Sequence, residues 1–108
     1  MEVKEITVET LQEWRNTGKE HQLIDVRESY EIEIVEIQGQ HIPLDELPNQ
    51  LDTIRNDIDV VIHCRSGARS ARAVQYIMSN RPEITKIYNL AGGILAWADK
   101  IDMSLEKY

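Results

Sequence analysis

A continuous apolar run passes directly into a cysteine, a short loop and a helical segment in Val60-Val61-Ile62-His63-Cys64-Arg65-Ser66-Gly67-Ala68-Arg69-Ser70. Consecutive β-branched residues are typical of a central parallel strand that is covered on both faces. After the loop, apolar residues recur at helical spacing as far as Asn80, and Pro82 then stops the helix. The stretch therefore predicts a strand, a cysteine at its carboxyl end, and a helix that begins shortly after it.

Short apolar runs alternate with helical segments on both sides of this unit. Before it we expect an edge strand, a helix capped by Thr7 and ended by Gly18, a buried strand, a short acidic helix, a short strand, and a helix with Pro48 in its first turn. After it we expect a strand and a last helix that Gly92 and Gly93 open. The predicted ranges are 5–6, 7–18, 22–26, 28–33, 40–42, 48–54, 59–63, 68–80, 86–90 and 92–97.

Strands that alternate with helices at this density predict a small α/β domain with a mostly parallel sheet. No linker-like tract or internal repeat divides the 108 residues, so we expect a single domain over residues 1–108. In open sheets of this class the active crevice lies beyond the carboxyl ends of the strands. Cys64 lies at such a point, which makes it the first candidate for a functional residue.

The composition, 42% hydrophobic and 29% charged, is typical of a compact globular protein. No apolar run approaches the roughly 20 residues that a bilayer requires, and Met1 to Glu5 lack the features of a signal peptide. A single cysteine, Cys64, can form neither an internal disulfide nor a cysteine-rich zinc site, which fits a reducing compartment. We therefore expect a cytoplasmic protein that does not enter a membrane.

The formal net charge of −7 argues against nucleic acid or an anionic membrane as the main partner. The charge is unevenly distributed, because residues 1–62 hold 5 Lys plus Arg against 15 Asp plus Glu, whereas residues 63–108 hold 7 against 4. Arg65, Arg69 and Arg72 follow Cys64 with no acidic residue among them. This cluster predicts a local spot that attracts anions, and its alternative interpretation is a solvated helix face.

The loop after Cys64 contains what a nucleophilic cysteine needs. Backbone amides of the loop and of the helix N-terminus can converge on the sulfur, and Gly67 allows the backbone to curl around it. Arg65 and Arg69 add positive charge, and together these features lower a thiol pKa. A lone cysteine after an apolar strand is otherwise usually an inert small hydrophobe, which would gain nothing from such a loop.

Three ordered motifs resemble those of the rhodanese-like domain family, sulfurtransferases that carry sulfur as a cysteine persulfide. They are Leu23-Ile24-Asp25-Val26-Arg27-Glu28, Cys64-Arg65-Ser66-Gly67-Ala68-Arg69-Ser70 and Ala91-Gly92-Gly93-Ile94-Leu95-Ala96-Trp97. The resemblance covers nearly the whole chain. It implies a small doubly wound, three-layer α/β domain with a central parallel sheet flanked by helices, which agrees with the periodicity.

By this resemblance, Cys64 is the catalytic residue of a thiosulfate sulfurtransferase of the rhodanese type. It would take sulfane sulfur from thiosulfate or a related small anionic donor and pass it to a thiophilic acceptor: cyanide, a thiol or a sulfur-carrier protein. No metal and no organic cofactor is implied. Ser70 could donate its hydroxyl towards the sulfur, Arg65 and Arg69 would steer the donor, and the cradle as a whole would be Arg65, Ser66, Gly67, Ala68, Arg69 and Ser70.

One segment departs from the common family pattern, because Gly39-Gln40-His41-Ile42-Pro43-Leu44 compresses two proline-containing stretches into one. The compressed form also resembles rhodanese domains attached to adenylyltransferases that activate sulfur-carrier proteins. The departure leaves the physiological partner open. It also identifies His41 as a strand residue rather than a catalytic one.

The remaining polar and aromatic residues favour structural roles. We interpret Asp25 and Arg27 as a hydrogen-bonded ion pair, since arginine is too basic to exchange protons. His63 would point away from Cys64 on the strand and pack in the interior. Trp14 and Trp97 would lie in the core. The acidic residues before the central strand would form a solvated face rather than a metal site; these are Glu28, Glu31, Glu33 and Glu36.

Three other functions compete with sulfur transfer. A cysteine phosphatase or arsenate reductase would place an arginine where Ser70 stands, and the shorter loop here leaves less room for a tetrahedral oxyanion. A non-catalytic module that regulates or scaffolds a partner would be expected to lose its cysteine, and this chain retains it. A partner-dependent module in sulfur relay or regulation stays as the alternative. A thiol redox sensor would lack a second cysteine to resolve the oxidised product.

Overall fold

The computed structural model describes residues 2–108 and contains a five-stranded, entirely parallel sheet. Its strands lie in the order β1-β5-β4-β2-β3. In chain order the elements are β1 (Glu5–Ile6), α1 (Val8–Thr17), β2 (His21–Asp25), α2 (Ser29–Ile34), β3 (Gln40–His41), two 3-10 helices (Leu44–Asn49 and Leu51–Thr53), β4 (Asp59–His63), α3 (Ala68–Asn80), β5 (Ile87–Leu90) and α4 (Gly93–Lys100). The predicted α/β class with a parallel sheet is confirmed.

Two apolar clusters lie on the two faces of the sheet. Successive residues of a strand point to opposite faces of the sheet, whereas residues paired across two strands point to the same face. The pair Ile24 and Ile62 therefore joins the cluster under α3, and the pair Leu23 and Val61 joins the cluster under α1 and α4. The continuous apolar run of β4 is fully buried, as expected for a strand covered on both sides. The sheet is thus the middle of three layers.

Local sequence signals set most of the helix ends. The Thr7 side chain accepts a hydrogen bond from the amide of Thr10 at 3.2 Å and caps α1, and Gly18 ends that helix with a φ of 72°. Glu28 forms a capping box with Glu31 at the start of α2. Gly67 and Gly92, both at positive φ, precede α3 and α4.

The segment around Pro48 differs from its prediction. The sequence predicts a helix with Pro48 in its first turn that carries Leu51 and Ile54, but the chain forms two 3-10 helices, and Pro48 lies inside the first. Proline has no amide hydrogen to donate to a helical hydrogen bond. The segment is instead held by hydrogen bonds between residues three apart, such as that from the Gln50 amide to the Leu47 carbonyl at 3.0 Å. This arrangement still buries Leu47 and Ile54.

The prediction that Trp14 and Trp97 lie in the core holds fully for Trp97, which is buried. Trp14 packs against the same apolar cluster but is only half-buried, with its ring near those of His21 and Tyr88. None of the helices in residues 2–108 has the length and apolar character that crossing a bilayer requires.

Candidate active site

Cys64 lies where the chain leaves β4, and its side chain is almost completely enclosed by the loop that follows. The residue is 1% exposed. Its Sγ accepts hydrogen bonds from the amides of Gly67 at 3.1 Å and of Ser70 at 3.4 Å, and the Ser70 hydroxyl lies 3.2 Å away. The loop therefore wraps the sulfur in donors, as the sequence predicts.

These donors change the acidity of the thiol. Burial of the sulfur opposes its ionisation, but hydrogen bonds from the Ser70 hydroxyl and from the amides of Ser70, Gly67 and Ser66 outweigh burial. The pKa of Cys64 consequently lies below its ordinary value. A larger share of the cysteine is then thiolate at neutral pH, and the thiolate is the nucleophilic form.

Asn89, on β5, holds the Ser70 hydroxyl from the other side. Asn89 Oδ1 lies 2.5 Å from Ser70 Oγ, while Asn89 Nδ2 donates to the carbonyl of Gly67 and to Glu5 Oε2, each at 3.1 Å. Because both neighbours of Nδ2 are acceptors, the amide orientation is fixed. No sequence motif indicated Asn89, whose only signal is a polar residue within an otherwise apolar strand.

The single hydroxyl proton of Ser70 has two possible acceptors, Asn89 Oδ1 and the sulfur. When Cys64 is a thiol, its S–H can donate to Ser70 Oγ while Ser70 donates to Asn89. When Cys64 is a thiolate, the Ser70 hydroxyl must turn towards the sulfur to stabilise the negative charge. The orientation of this hydroxyl thus follows the charge on the sulfur.

The first turn of α4 fixes the direction of the loop. The amides of Ile94 and Leu95 donate to the carbonyls of Cys64 and Arg65 at 3.0 and 3.1 Å. These bonds hold the carbonyls towards the N-terminus of α4, which favours negative partial charge. Gly93 lies directly below, and a Cβ added there would approach the Arg65 carbonyl oxygen to 2.5 Å. The glycine turn that opens α4 therefore supports the cysteine loop.

Glu31 corrects the prediction of a solvated acidic face. Its side chain is only 3% exposed, and it binds Arg69 through both carboxylate oxygens at 2.7 and 2.8 Å. Hydrogen bonding to Arg69 lowers the Glu31 pKa to about 2 despite burial, with help from Tyr108 and the Glu28 amide. The capping-box spacing of Glu28 and Glu31 indicates only that the Glu31 side chain turns back towards the Glu28 amide, which donates to it at 3.0 Å.

This ion pair also changes the environment of Arg69. Sequence reasoning expected Arg69 to attract an anionic donor, but both of its terminal nitrogens bind Glu31. The pair has no net charge, so it fixes the first turn of α3 against α2 more than it attracts anions.

Arg65 is exposed and lies beside the ring of Tyr108. Its guanidinium carbon is 5.0 Å from the ring centroid, within the range of a cation–π contact. The Tyr108 hydroxyl donates to Glu31 Oε2 at 2.6 Å and accepts from Arg27 Nη1 at 2.9 Å. No sequence pattern in the segment after α4 points to Tyr108 as a site residue.

A buried charged network lies below the loop. Arg27 binds Asp25 through two nitrogens, with Nη2 at 2.8 Å from Oδ2, and both side chains are inaccessible to solvent. His63 Nε2 lies 3.4 Å from the same Oδ2 but makes no hydrogen bond within the described residues. Burial lowers the pKa of His63, which is therefore neutral. The structural interpretation of all three residues is confirmed.

The predicted cradle residues come together, but they contribute differently. Gly67 and Ser70 contact the sulfur directly, Ser66 turns its amide towards it and leaves its side chain exposed, and Ala68 begins α3 at the surface. His41 lies in β3, as expected, and its Nε2 is 2.7 Å from the Arg27 carbonyl. Within residues 2–108, no group of three or more His, Cys, Asp or Glu side chains is placed to hold a metal ion.

Comparison with known proteins gives consistent matches over this whole arrangement. The model of the rhodanese-like domain family matches residues 7–100. The chain is 42% identical over 93 residues to the uncharacterized protein YqhL of Bacillus subtilis (strain 168), covering 85% of this chain and 72% of that protein. It is 38% identical over 101 residues to a sulfurtransferase of Allochromatium vinosum, covering 89% of each. The crystal structure of a rhodanese-like domain protein from Staphylococcus aureus has a TM-score of 0.81 at 32% identity, covering 98% of this chain and 99% of that one.

Proposed function

Because the chain belongs to the rhodanese-like domain family, we propose that it is a sulfurtransferase that carries sulfane sulfur as a persulfide on Cys64. The observation that carries the proposal is the ring of donors around the Cys64 sulfur, formed by the amides of Gly67 and Ser70 and by the Ser70 hydroxyl. Such donors stabilise a thiolate before the reaction and a persulfide anion after it. A relative named a sulfurtransferase aligns along most of the chain.

The reaction proceeds in two displacements. The Cys64 thiolate attacks the outer sulfur of thiosulfate, a new S–S bond forms, and sulfite leaves with the electron pair of the donor's S–S bond. A nucleophilic acceptor then attacks the outer sulfur of the persulfide, and Cys64 departs as a thiolate. With cyanide as acceptor the product is thiocyanate. Neither step needs an external oxidant or reductant, and no metal or organic cofactor takes part.

The loop residues have separate roles in this scheme. Cys64 is the catalytic nucleophile, and the loop of Arg65, Ser66, Gly67, Ala68, Arg69 and Ser70 forms the cradle. Within it the amides of Ser66, Gly67 and Ser70 and the Ser70 hydroxyl bind the transferred sulfur. Arg65 attracts the anionic donor, since Arg69 is paired with Glu31. Neutral, buried His63 makes no hydrogen bond to the sulfur within residues 2–108, so the loop donors rather than a histidine base activate the thiol.

The biological context follows from the same chemistry. We propose a thiosulfate-like anion as donor, and a thiol or a sulfur-carrier protein as acceptor besides cyanide. Relatives that include an adenylyltransferase/sulfurtransferase and a putative sulfur carrier protein support a protein acceptor. A free cysteine fits the reducing cytoplasm, where we place the reaction. We also propose that residues 1–108 act as one domain.

The proposal is tested by thiocyanate formation from thiosulfate and cyanide, with Cys64→Ser as the control. Intact mass is recorded after exposure to thiosulfate alone. We expect turnover and a mass gain of one sulfur atom in the wild type, and neither in Cys64→Ser. Turnover that persists in a folded Cys64→Ser variant would overturn the mechanism. If wild type shows neither signal with thiosulfate or with an organic persulfide, a partner-dependent module takes the place of the enzyme.

A further inference from the structure

Arg65 is the cation of the cysteine loop that is left without a carboxylate. Arg69 is held by both oxygens of Glu31, whereas the guanidinium of Arg65 makes no ion pair or hydrogen bond within residues 2–108. Its described side-chain contact is the face of the Tyr108 ring, 5.0 Å from guanidinium carbon to ring centroid. The N–H edges of Arg65 are therefore available to a ligand.

Tyr108 is itself held in place by buried charged groups. Its hydroxyl donates to Glu31 at 2.6 Å and accepts from Arg27 at 2.9 Å. The Arg27 side chain is 0% exposed and that of Glu31 is 3% exposed, so neither partner can easily move. The ring also packs against the apolar cluster between the sheet and α1 and α4. The aromatic surface beneath Arg65 is thus rigid although Arg65 is exposed.

We propose that Tyr108 is a positioning residue that fixes Arg65 at the mouth of the Cys64 site, and that this pair sets the preference of the site for anionic reagents. The cation–π contact with the ring uses none of the guanidinium N–H groups as a hydrogen-bond donor to a carboxylate, so the N–H fork stays free for an oxyanion. It also removes rotamer freedom from Arg65 before the ligand arrives, which lowers the cost of binding. As far as the natural donor is concerned, this inference rests on the proposed function.

The test compares alkylation of Cys64 by iodoacetate, an anion, with alkylation by neutral iodoacetamide. Both reagents attack the same thiolate, so the ratio of the two rate constants is independent of the cysteine pKa and reports the attraction of anions. The variants are Tyr108→Leu, which removes the ring, Tyr108→Phe, which keeps it, and Arg65→Gln. Arg72→Gln is the matched control, because it removes an exposed arginine from α3 that does not contact Tyr108.

We expect Arg65→Gln to lower the iodoacetate-to-iodoacetamide ratio by about threefold to tenfold at low salt. In Tyr108→Leu the logarithm of the iodoacetate-to-iodoacetamide ratio falls by at least half of its decrease in Arg65→Gln. In Tyr108→Phe and Arg72→Gln the ratio stays within about twofold of wild type. With thiosulfate, Tyr108→Leu raises KM by a similar factor and leaves kcat within about twofold.

A wild-type ratio in a Tyr108→Leu variant that still unfolds cooperatively would overturn the proposal, and so would an unchanged ratio in Arg65→Gln. If Tyr108→Leu is too unstable to measure, Tyr108→Met takes its place, because it also removes the aromatic face, and a wild-type ratio in that variant would overturn the proposal in the same way. Alkylation needs no sulfur donor, so this result is independent of thiocyanate turnover. If Tyr108→Leu lowers the iodoacetate-to-iodoacetamide ratio but the wild-type protein transfers no sulfur, the proposed function is rejected and the positioning role of Tyr108 stands.

Discussion

At the scale of single residues, the Cys64 sulfur is governed by one hydroxyl group. Ser70 is the side chain that donates to the thiolate, and Asn89 competes for the same proton from the opposite side. The backbone amides of the loop cannot turn away in this manner. Ser70 is therefore the adjustable contributor to the reactivity of Cys64, whereas Gly67 and the Ser70 amide contribute at a fixed level.

Ser70→Ala should slow the reaction of Cys64 with iodoacetamide at pH 7 by about threefold to tenfold, because one hydrogen bond to the thiolate is lost and the thiol pKa rises. The measurement is the alkylation rate across pH. Ser66→Ala is the matched control, since it makes the same chemical change in the same loop, where the side chain is exposed. Equal rates for both variants across the pH range would contradict the assignment to Ser70.

The sequence identified some of these residues and missed others for a physical reason. Cys64, Gly67 and Ser70 lie within seven consecutive positions, so local spacing was enough to assemble them. Glu31, Asn89 and Tyr108 reach the same place from α2, β5 and the segment after α4. Contacts between residues so far apart in the chain depend on how the layers of the fold pack together. No local sequence pattern predicts which of these residues meet.

At the scale of elements, the decisive contact is that between the start of α4 and the cysteine loop. The amides of α4 hold the loop carbonyls, and a glycine at position 93 permits the approach. The loop amides are consequently free to face the sulfur. The geometry around Cys64 thus depends on a helix that contributes no side chain to the sulfur.

Gly93→Ala should destabilise the protein by about 2–4 kcal/mol, because the new methyl group would overlap the carbonyls of Cys64 and Arg65 at a φ of 59°. It should also slow Cys64 alkylation by more than about tenfold as the loop shifts. Urea unfolding and iodoacetamide kinetics measure the two effects.

Gly18→Ala provides the comparison for this variant. Its φ is 72°, but an added Cβ would meet nothing within 4 Å. We expect a loss of about 1 kcal/mol from backbone strain alone and an unchanged alkylation rate. Equal effects of the two substitutions on Cys64 would show that crowding by α4 does not set the loop geometry.

Element prediction succeeded where one physical signal dominated. The β-branched run of Val60 to Ile62 predicted β4 with its observed bounds, and Thr7 and Gly18 marked the two ends of α1. Pro48 misled because proline fits both the first turn of an α-helix and a 3-10 helix, and only the packing of Leu47 and Ile54 under α3 distinguishes them.

At the scale of the whole molecule, the acidic first half and the basic second half meet at the site. Glu31 and Arg69 form the clearest link, joining α2 to α3 across the mouth of the Cys64 loop. Composition alone showed the charge asymmetry but not that part of it would be buried. The ionised Glu31 therefore stabilises the assembled layers as well as the loop.

The Glu31 pKa makes this contribution depend on pH. Folding lowers the pKa of Glu31 from 4.5 to about 2. The stabilisation by ionised Glu31 is therefore complete at a pH above 4.5, the pKa in the unfolded chain, and is lost as the pH falls towards the pKa in the folded protein. The free energy of unfolding of wild type minus that of Glu31→Gln should therefore decrease by about 2 kcal/mol between pH 5.5 and pH 3.

Urea titrations at several pH values check this result. Glu33→Gln is the matched control on the same helix, because Glu33 is exposed. The unfolding free energy of this variant should follow that of wild type at every pH. A difference between wild type and Glu31→Gln that stays constant down to pH 3 would show that the Arg69 pair does not hold Glu31 in its ionised form.

The strand order has a consequence for behaviour at high concentration. Both edges of the sheet, β1 and β3, are only two residues long, while the long strands β2 and β4 are enclosed. An edge this short offers another polypeptide few unpaired backbone groups on which to add a strand. Association of native molecules through sheet extension, the first step towards fibrils, is therefore disfavoured by the architecture itself, and fibril formation would first require the edges to peel away.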